Sequence, residues 1–281
     1  MYEAARTGKV VALKRTQEAI VPLRAALGHL RVDQITQARW DTYATQRLTK
    51  PPRRGDPAKH VPRPVAPGTL RREFNTFRAA MNLAWLGGFL PRPLALEAPG
   101  DSAPRDRYLT KHEARSLIAA AETPHVRLFV ALAIYTGARK GSILALTWDR
   151  VDLASGIIEF QEPGRKLTSK RRATVPMNDS LRRELEAAKE VATTDFVVEY
   201  NGNPVPFGLR WSWQRLCQRA KLKWRPTPHH LKHSVASWLA MEGVPIDQAA
   251  DWLATDPTTL RKVYRKFDPA YLRSVAGALE L

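Results

Sequence analysis

Four widely separated pieces of this chain carry side chains that can act together in one reaction. Arg139 closes Tyr135-Thr136-Gly137-Ala138-Arg139. His229 and Lys232 share Thr227-Pro228-His229-His230-Leu231-Lys232-His233, and Tyr264 lies in a short basic stretch from Pro257 to Lys266. Between the first two, Gly164-Arg165-Lys166-Leu167-Thr168-Ser169-Lys170-Arg171-Arg172 places five basic residues among nine. The set suits phosphodiester exchange without a metal. That chemistry needs a nucleophile leaving a stable ester, positive donors on the non-bridging oxygens, and an acid for the departing hydroxyl. Tyr264 can be the first, because a phenolate both attacks and leaves tolerably. Arg139 with the His229/Lys232 pair can be the second, and a lysine of the basic turn the third. Blander readings stand beside these. A tyrosine in a basic helix is ordinarily a surface or interface residue. An arginine after a helix-ending glycine can simply complement the helix C-terminus, and a basic turn can simply be solvated.

Each residue needs an element to hold it. Arg127 to Tyr135 is nearly all apolar, as a buried helix requires, and Gly137 stops it before Arg139. Ile157–Phe160 and Ala173–Pro176 read as two short strands flanking the basic turn. Thr227 opens the helix of His229 and Lys232, and Gly243 with Pro245 ends it. Asp256-Pro257 is an N-cap followed by proline, the start of the Tyr264 helix; Asp268-Pro269 repeats the signal. Thr110 and Glu113 form a capping box, and Asn178, Asp179 or Ser180 can cap a charged helix to about Glu190. Arg210 to Lys221 is a further helix. Trp148, Trp238 and the single cysteine, Cys217, read as packed residues. His230 reads as solvated and His233 as a packing or supporting residue.

The charge says what such a site would meet. Lys and Arg number 45 against 27 Asp and Glu, a net +18 with a pI near 10.4. That excess favours a polyanion, nucleic acid first and an anionic membrane surface or RNA as weaker readings resting on charge alone. It is spread out: residues 1–105 hold 18 basic and 8 acidic residues, leaving 27 and 19 for residues 106–281. A clamp of two positive domains fits this better than a basic tail on a neutral enzyme. No apolar run approaches 18 residues, so no membrane span is expected. One cysteine excludes an intrachain disulfide framework and a Cys-rich zinc site. The compartment expected is the cytoplasm.

The first hundred residues look like the second half of the clamp. Residues 1–26 are basic, amphipathic and helical in pattern, Gly28 punctuates them, and a second helix ends near Leu48. Prolines from Pro51 to Pro67, with Arg53, Arg54, Lys59 and Arg63 between, make residues 49–68 a long loop. A phosphate-tracking loop and a solvated linker both fit it. Thr69 is expected to cap the next helix, whose apolar stripe is Leu70, Phe74, Phe77, Met81, Ala84 and Trp85. Arg71, Arg72 and Arg78 fall mostly off that stripe and are candidate DNA contacts. Gly87-Gly88 ends the helix, and residues 91–106 have a linker's composition.

At these motifs the chain resembles the tyrosine recombinase (phage integrase) family over almost its whole length. Ala133 to Arg139 followed by Leu146-Thr147-Trp148-Asp149 resembles the family's first arginine box. The basic hairpin ending Val175-Pro176 resembles its lysine-bearing hairpin, Thr227 to Ser237 its His-x-x-Arg box, and Thr258-Thr259 with Tyr264 its nucleophile segment. The resemblance implies a mainly α fold with a small β-hairpin or sheet (α+β). It implies an N-terminal helical core-binding, DNA-binding domain over 1–100, a linker at 101–106 and a catalytic domain over 107–281. It further implies a site-specific recombinase of a mobile genetic element, cutting and rejoining duplex DNA through a 3′-phosphotyrosyl link, self-assembled as a tetramer on paired sites. No metal or nucleotide cofactor and no membrane partner are implied.

By the same resemblance Tyr264 attacks the phosphate, Arg139 holds a non-bridging oxygen and His229 orients or exchanges a proton. Lys170 protonates the leaving oxygen, with Lys166 as the alternative. The density of charge in the turn, apart from the resemblance, makes Lys166, Arg171 and Arg172 candidate phosphate contacts. Two positions depart from the pattern. Lys232 stands at the second arginine and lacks the planar fork that matches phosphate. Thr255 stands where the family has His or Trp, a hydroxyl in place of a potential cation. These departures imply a weakened centre or, alternatively, a catalytically degenerate DNA-binding protein, and they predict that Lys232→Arg raises cleavage. The segment from Asp268 to Leu281, with Leu272, Val275 and Leu279 at helical spacing, can dock on a neighbouring subunit or fold back.

Overall fold

The structure, a computed structural model, describes residues 2, 13–49, 64–100, 107–164, 172–205 and 209–268. Most of the proline-rich stretch, the 101–106 linker, Lys166, Lys170, Arg171 and the C-terminal docking segment lie outside the described residues. The chain divides into two compact units, Met1–Arg105 and Asp106–Leu281.

In the first unit, helices α1 (Leu13–Leu27), α2 (Gln37–Thr49) and α3 (Pro67–Leu86) bury one face each. Trp40 is the hub. Its indole is 1% exposed, meets Phe74 edge-on at 5.0 Å and stacks on Phe77 at 5.7 Å. Glu73 is buried too. Its carboxylate accepts from Tyr43 Oη at 2.6 Å and pairs with the Arg47 guanidinium, so the buried charge keeps partners. Burial and that carboxylate push the Tyr43 phenol well above its usual range.

Two expectations need correction here. Helix α3 starts at Pro67, not at Thr69, because Pro67 takes the N1 position, where its missing N–H is no loss. Trp85 does not join the core: it is 39% exposed, with Leu86 at 74% beside it. A helix of 20 residues runs about 30 Å at ~1.5 Å per residue. Its described partner helices are shorter, of 15 and 13 residues.

The second unit is built round α5 (Pro124–Thr136), whose Phe129, Val130 and Ala131 have no exposure. It packs against α4 (Lys111–Ala119), α7 (Asp179–Glu190) and α9 (Pro228–Met241). Between them come α6 (Lys140–Leu144), a 3-10 turn over Trp148–Arg150, and α8 (Arg210–Arg219). Helices α10 (Ile246–Trp252) and α11 (Pro257–Phe267) close the described chain. Strands β1 (Val151–Asp152), β2 (Ile157–Glu159) and β3 (Thr174–Pro176) form an antiparallel sheet in that order. The register sets Ile158 against both Val151 and Val175, which puts all three side chains on the buried face. The expected hairpin is thus present, with β1 added. A second hairpin, β4 (Glu199–Tyr200) with β5 (Asn203–Pro204), turns on Asn201-Gly202 with both φ positive, at 51° and 68°. The expected caps form: Thr110 with Glu113, Asn178 on Leu181, and Asp256 on Thr258. Among the described residues no helix is long and apolar enough to cross a membrane. The architecture is mainly α with small antiparallel sheets.

Candidate active site

Arg139 owes its position to the turn before it. Gly137 ends α5 with a left-handed φ of 64°, its N–H donating to Ala133 O at 3.1 Å. A Cβ on Gly137 would run into the Leu253 side chain, which would have to shift, so the position favours glycine for space as well as for conformation. Thr136 Oγ1 donates to Leu132 O at 2.6 Å and accepts from Ala138 N at 3.1 Å, pinning the turn. Arg139, half-buried at the N-cap of α6, donates through Nη1 to Ala254 O at 3.2 Å. Burial lowers its pKa from the ordinary arginine value.

His229 and Lys232 ride on the first turn of α9, three residues apart and hence on one face. Thr227 caps this helix and Pro228 takes N1. His230 is half-buried and remains partly solvated, and it also takes a capping role. Its Nδ1 accepts from Thr227 N at 2.9 Å, the reciprocal half of a capping box usually filled by Glu or Gln. Its ring also meets Trp224 edge-on. His229 is exposed, whereas Lys232 is only 8% exposed. The Lys232 ammonium donates to Gly137 O at 3.1 Å and to Leu253 O. Burial first, then the Arg139 and Arg172 cations, bring its pKa down to about 7.

The turn between α10 and α11 completes the surround. Ala254 adopts φ 44°, which lets Thr255 N reach Ala250 O at 2.9 Å. Thr255 Oγ1 donates to Leu253 O at 3.1 Å, so its proton serves the turn. Arg139, Lys140, His229 and Lys232 line a cavity of about 250 Å³ with Ala138, Thr227 and Pro228. Arg172 donates to Ser142 Oγ and lines, with Arg139 and Ala254, a second, much smaller cavity. Tyr264 lines neither cavity. It is 3% exposed, within an apolar cluster that includes Val235, Ala249, Leu253 and Leu260, and its hydroxyl has no hydrogen-bond partner among the described residues. Burial and the Asp268 carboxylate raise its pKa. Among the described residues no group of three His, Cys, Asp or Glu can hold a metal ion.

Residues 107–269 match the family model described as the phage integrase family. The chain belongs to this family. The integrase of Salmonella phage P22 is 24% identical over 80% of this chain and 60% of its own length. The Escherichia coli shufflon-specific DNA recombinase is 33% identical over 47% of this chain and 34% of its own. Tyrosine recombinase XerA of Thermococcus kodakarensis is 28% identical over 62% and 63%. The chain therefore spans less than two thirds of each of these relatives. Among solved structures, a Tn1549 transposon integrase in complex with circular-intermediate DNA has a TM-score of 0.75 at 15% identity, covering 99% of this chain and 98% of that one. A lambda integrase dimer bound to a COC′ core site has a TM-score of 0.71 at 18% identity, covering 94% and 75%. These likenesses show the fold.

In this phage integrase-family chain the fold gathers Arg139, His229, Lys232 and the Thr255 turn, and Tyr264 does not line their cavity. In the first unit Arg72 and Arg78 are exposed, with Arg78 5.6 Å from the Phe74 ring, while the Arg71 guanidinium donates to Pro99 O. Sequence reasoning passed over Ser142 and the carbonyls of Gly137, Leu253 and Ala254. A backbone acceptor carries no residue-type signal; Gly137, two residues before Arg139, was the available hint.

Proposed function

We propose that this chain is a site-specific DNA recombinase of integrase type, working through Tyr264. The observation that carries the reading is the cavity shared by Arg139, His229 and Lys232, assembled from two distant helices, with the Tyr264 helix following the turn that Arg139 grips. In this reading the scissile phosphate sits in that cavity and Arg139 holds a non-bridging oxygen as negative charge develops. Tyr264 Oη bonds to phosphorus, the bond to the 5′ oxygen breaks, and a lysine of the basic turn, Lys170 before Lys166, gives that oxygen its proton. His229 exchanges the tyrosine proton. The 5′ hydroxyl of a partner strand then attacks the phosphotyrosyl ester and returns the phenol, so no external energy source is needed. Because the Tyr264 hydroxyl is buried, α11 repacks before attack.

The substrate is duplex DNA in the cytoplasm, gripped by the first unit through Arg71, Arg72 and Arg78 and by Lys166, Arg171 and Arg172 of the hairpin. Exchange takes place in a tetramer on paired sites. The net charge of +18 supports a polyanionic substrate. So does the family's structural company, which includes a lambda integrase tetramer bound to a Holliday junction, of TM-score 0.70.

Covalent trapping tests this. Nicked duplexes tiled across the junctions of the resident element are incubated with wild type and Tyr264→Phe, then run on a denaturing gel. A shifted band in wild type that Tyr264→Phe lacks is expected. Binding without a band in either protein would replace the recombinase with a protein that occupies DNA without exchange.

A further inference from the structure

At the second-arginine position a phosphate contact is the obvious role for a cation, and the surroundings of Lys232 argue for another. Its ammonium is buried and donates to two backbone carbonyls, Gly137 O at 3.1 Å and Leu253 O. Those carbonyls belong to two different turns. One leads directly into Arg139. The other contains Ala254, whose carbonyl accepts from Arg139 Nη1 at 3.2 Å. The same turns also interlock sterically, with Leu253 packed where a Gly137 Cβ would be. Lys232 thus stands at the centre of a closed loop of contacts: Gly137 turn, Arg139, Ala254 turn, and back through the ammonium. A compact head with three donors suits two converging carbonyls better than a planar five-donor fork.

We propose that Lys232 is a positioning residue, tying the Gly137–Arg139 turn to the Leu253–Thr255 turn so that the Arg139 guanidinium is fixed for phosphate. This rests on the recombinase reading of the site and deepens it. It also reverses the expectation drawn from sequence: arginine at 232 breaks the tie and lowers cleavage.

The test follows single-turnover adduct formation on a nicked duplex that wild type cleaves, alongside duplex affinity and thermal melting. Lys232→Met is expected to keep wild-type affinity for the duplex while adduct formation slows at least tenfold. Lys232→Arg is expected to slow it severalfold. In an Arg139→Ala background, Lys232→Met should cost less than threefold more, because the residue acts through Arg139. Lys232→Arg matching or exceeding wild type would overturn the proposal, as would losses that multiply in the double variant.

A second measurement covers variants that fail to fold. Free wild-type protein is treated with an amine-acylating reagent and mapped by mass spectrometry. Lys232 should react far more slowly than the exposed Lys140; equal reaction would refute the tie. Absence of any wild-type adduct would strike the recombinase reading instead, and equal acylation of Lys232 and Lys140 would still refute the tie.

Discussion

Lys232 and Tyr264 are both polar groups that the fold places under cover, and the consequences differ. For Lys232 the folded pKa of about 7 lies below the ordinary 10.5, because burial, Arg139 and Arg172 all oppose the ammonium. Below pH 7 folded and unfolded chains alike hold the proton, and the folded state bears the full cost of burying it. Between about 7 and 10.5 the unfolded chain binds more protons, so this residue's contribution to stability rises with pH, is complete above that window and is lost as pH falls through 7. Denaturant midpoints across that range should therefore show the difference between Lys232→Met and wild type moving in the variant's favour as pH falls from about 10.5 to 7 and levelling off below. For Tyr264 the buried hydroxyl lacks a partner among the described residues, an omission worth about 1–3 kcal/mol against the fold. Tyr264→Phe should thus be stable or raise stability by about 1 kcal/mol while abolishing the adduct. A marked drop in its melting temperature would show that the hydroxyl is bonded.

The elements that matter most are two turns and one short helix. A methyl group on Gly137 would displace the Leu253 side chain, and the residue's φ of 64° is unfavourable for alanine. Gly137→Ala should cost about 2–4 kcal/mol from overpacking and left-handed strain together, read as a lower denaturant midpoint, and adduct formation should fall with it. Helix α11 is held at its far end by Phe267, which meets the Tyr108 ring edge-on at 4.9 Å. Tyr108 precedes Leu109, itself fixed by Leu109 N to Ser234 Oγ and Trp238 Nε1 to Leu109 O, both 2.8 Å. Removing the Tyr108 ring should loosen the end of α11 without unseating Leu109. Nitration of Tyr264 in Tyr108→Ala is then expected to run severalfold faster than in wild type; an unchanged rate would mean that the cluster around Leu260 alone holds the helix.

At the scale of the molecule the positive charge belongs to both units, so duplex affinity should fall steeply with salt as counterions are released. Arg72 and Arg78 are exposed on α3. If they lie along the phosphates, each alanine substitution should weaken binding uniformly across sequences and reduce the slope of log affinity against log salt by about one. An unchanged slope would move the first unit's contacts to other residues.

The sequence by itself determined the elements and the family. Local chemistry sufficed for the capping box at Thr110, the Asp256-Pro257 helix start, the apolar run of α5 and the glycine stop before Arg139, because each is written in neighbouring residues. The four ordered motifs sufficed for the family, since their order and spacing together are improbable by chance. The Asn201-Gly202 turn was legible too and was passed over. What only the tertiary structure decided depends on residues far apart in the chain. It buried the Lys232 ammonium against carbonyls 95 and 21 residues away, turned the Thr255 hydroxyl onto its own backbone, and sealed Tyr264 in an apolar cluster. It also left Trp85 exposed. Residue type says that a lysine carries charge and a tyrosine a hydroxyl. Whether those groups face a phosphate, a carbonyl or a core is settled by packing, and packing is a property of the whole fold.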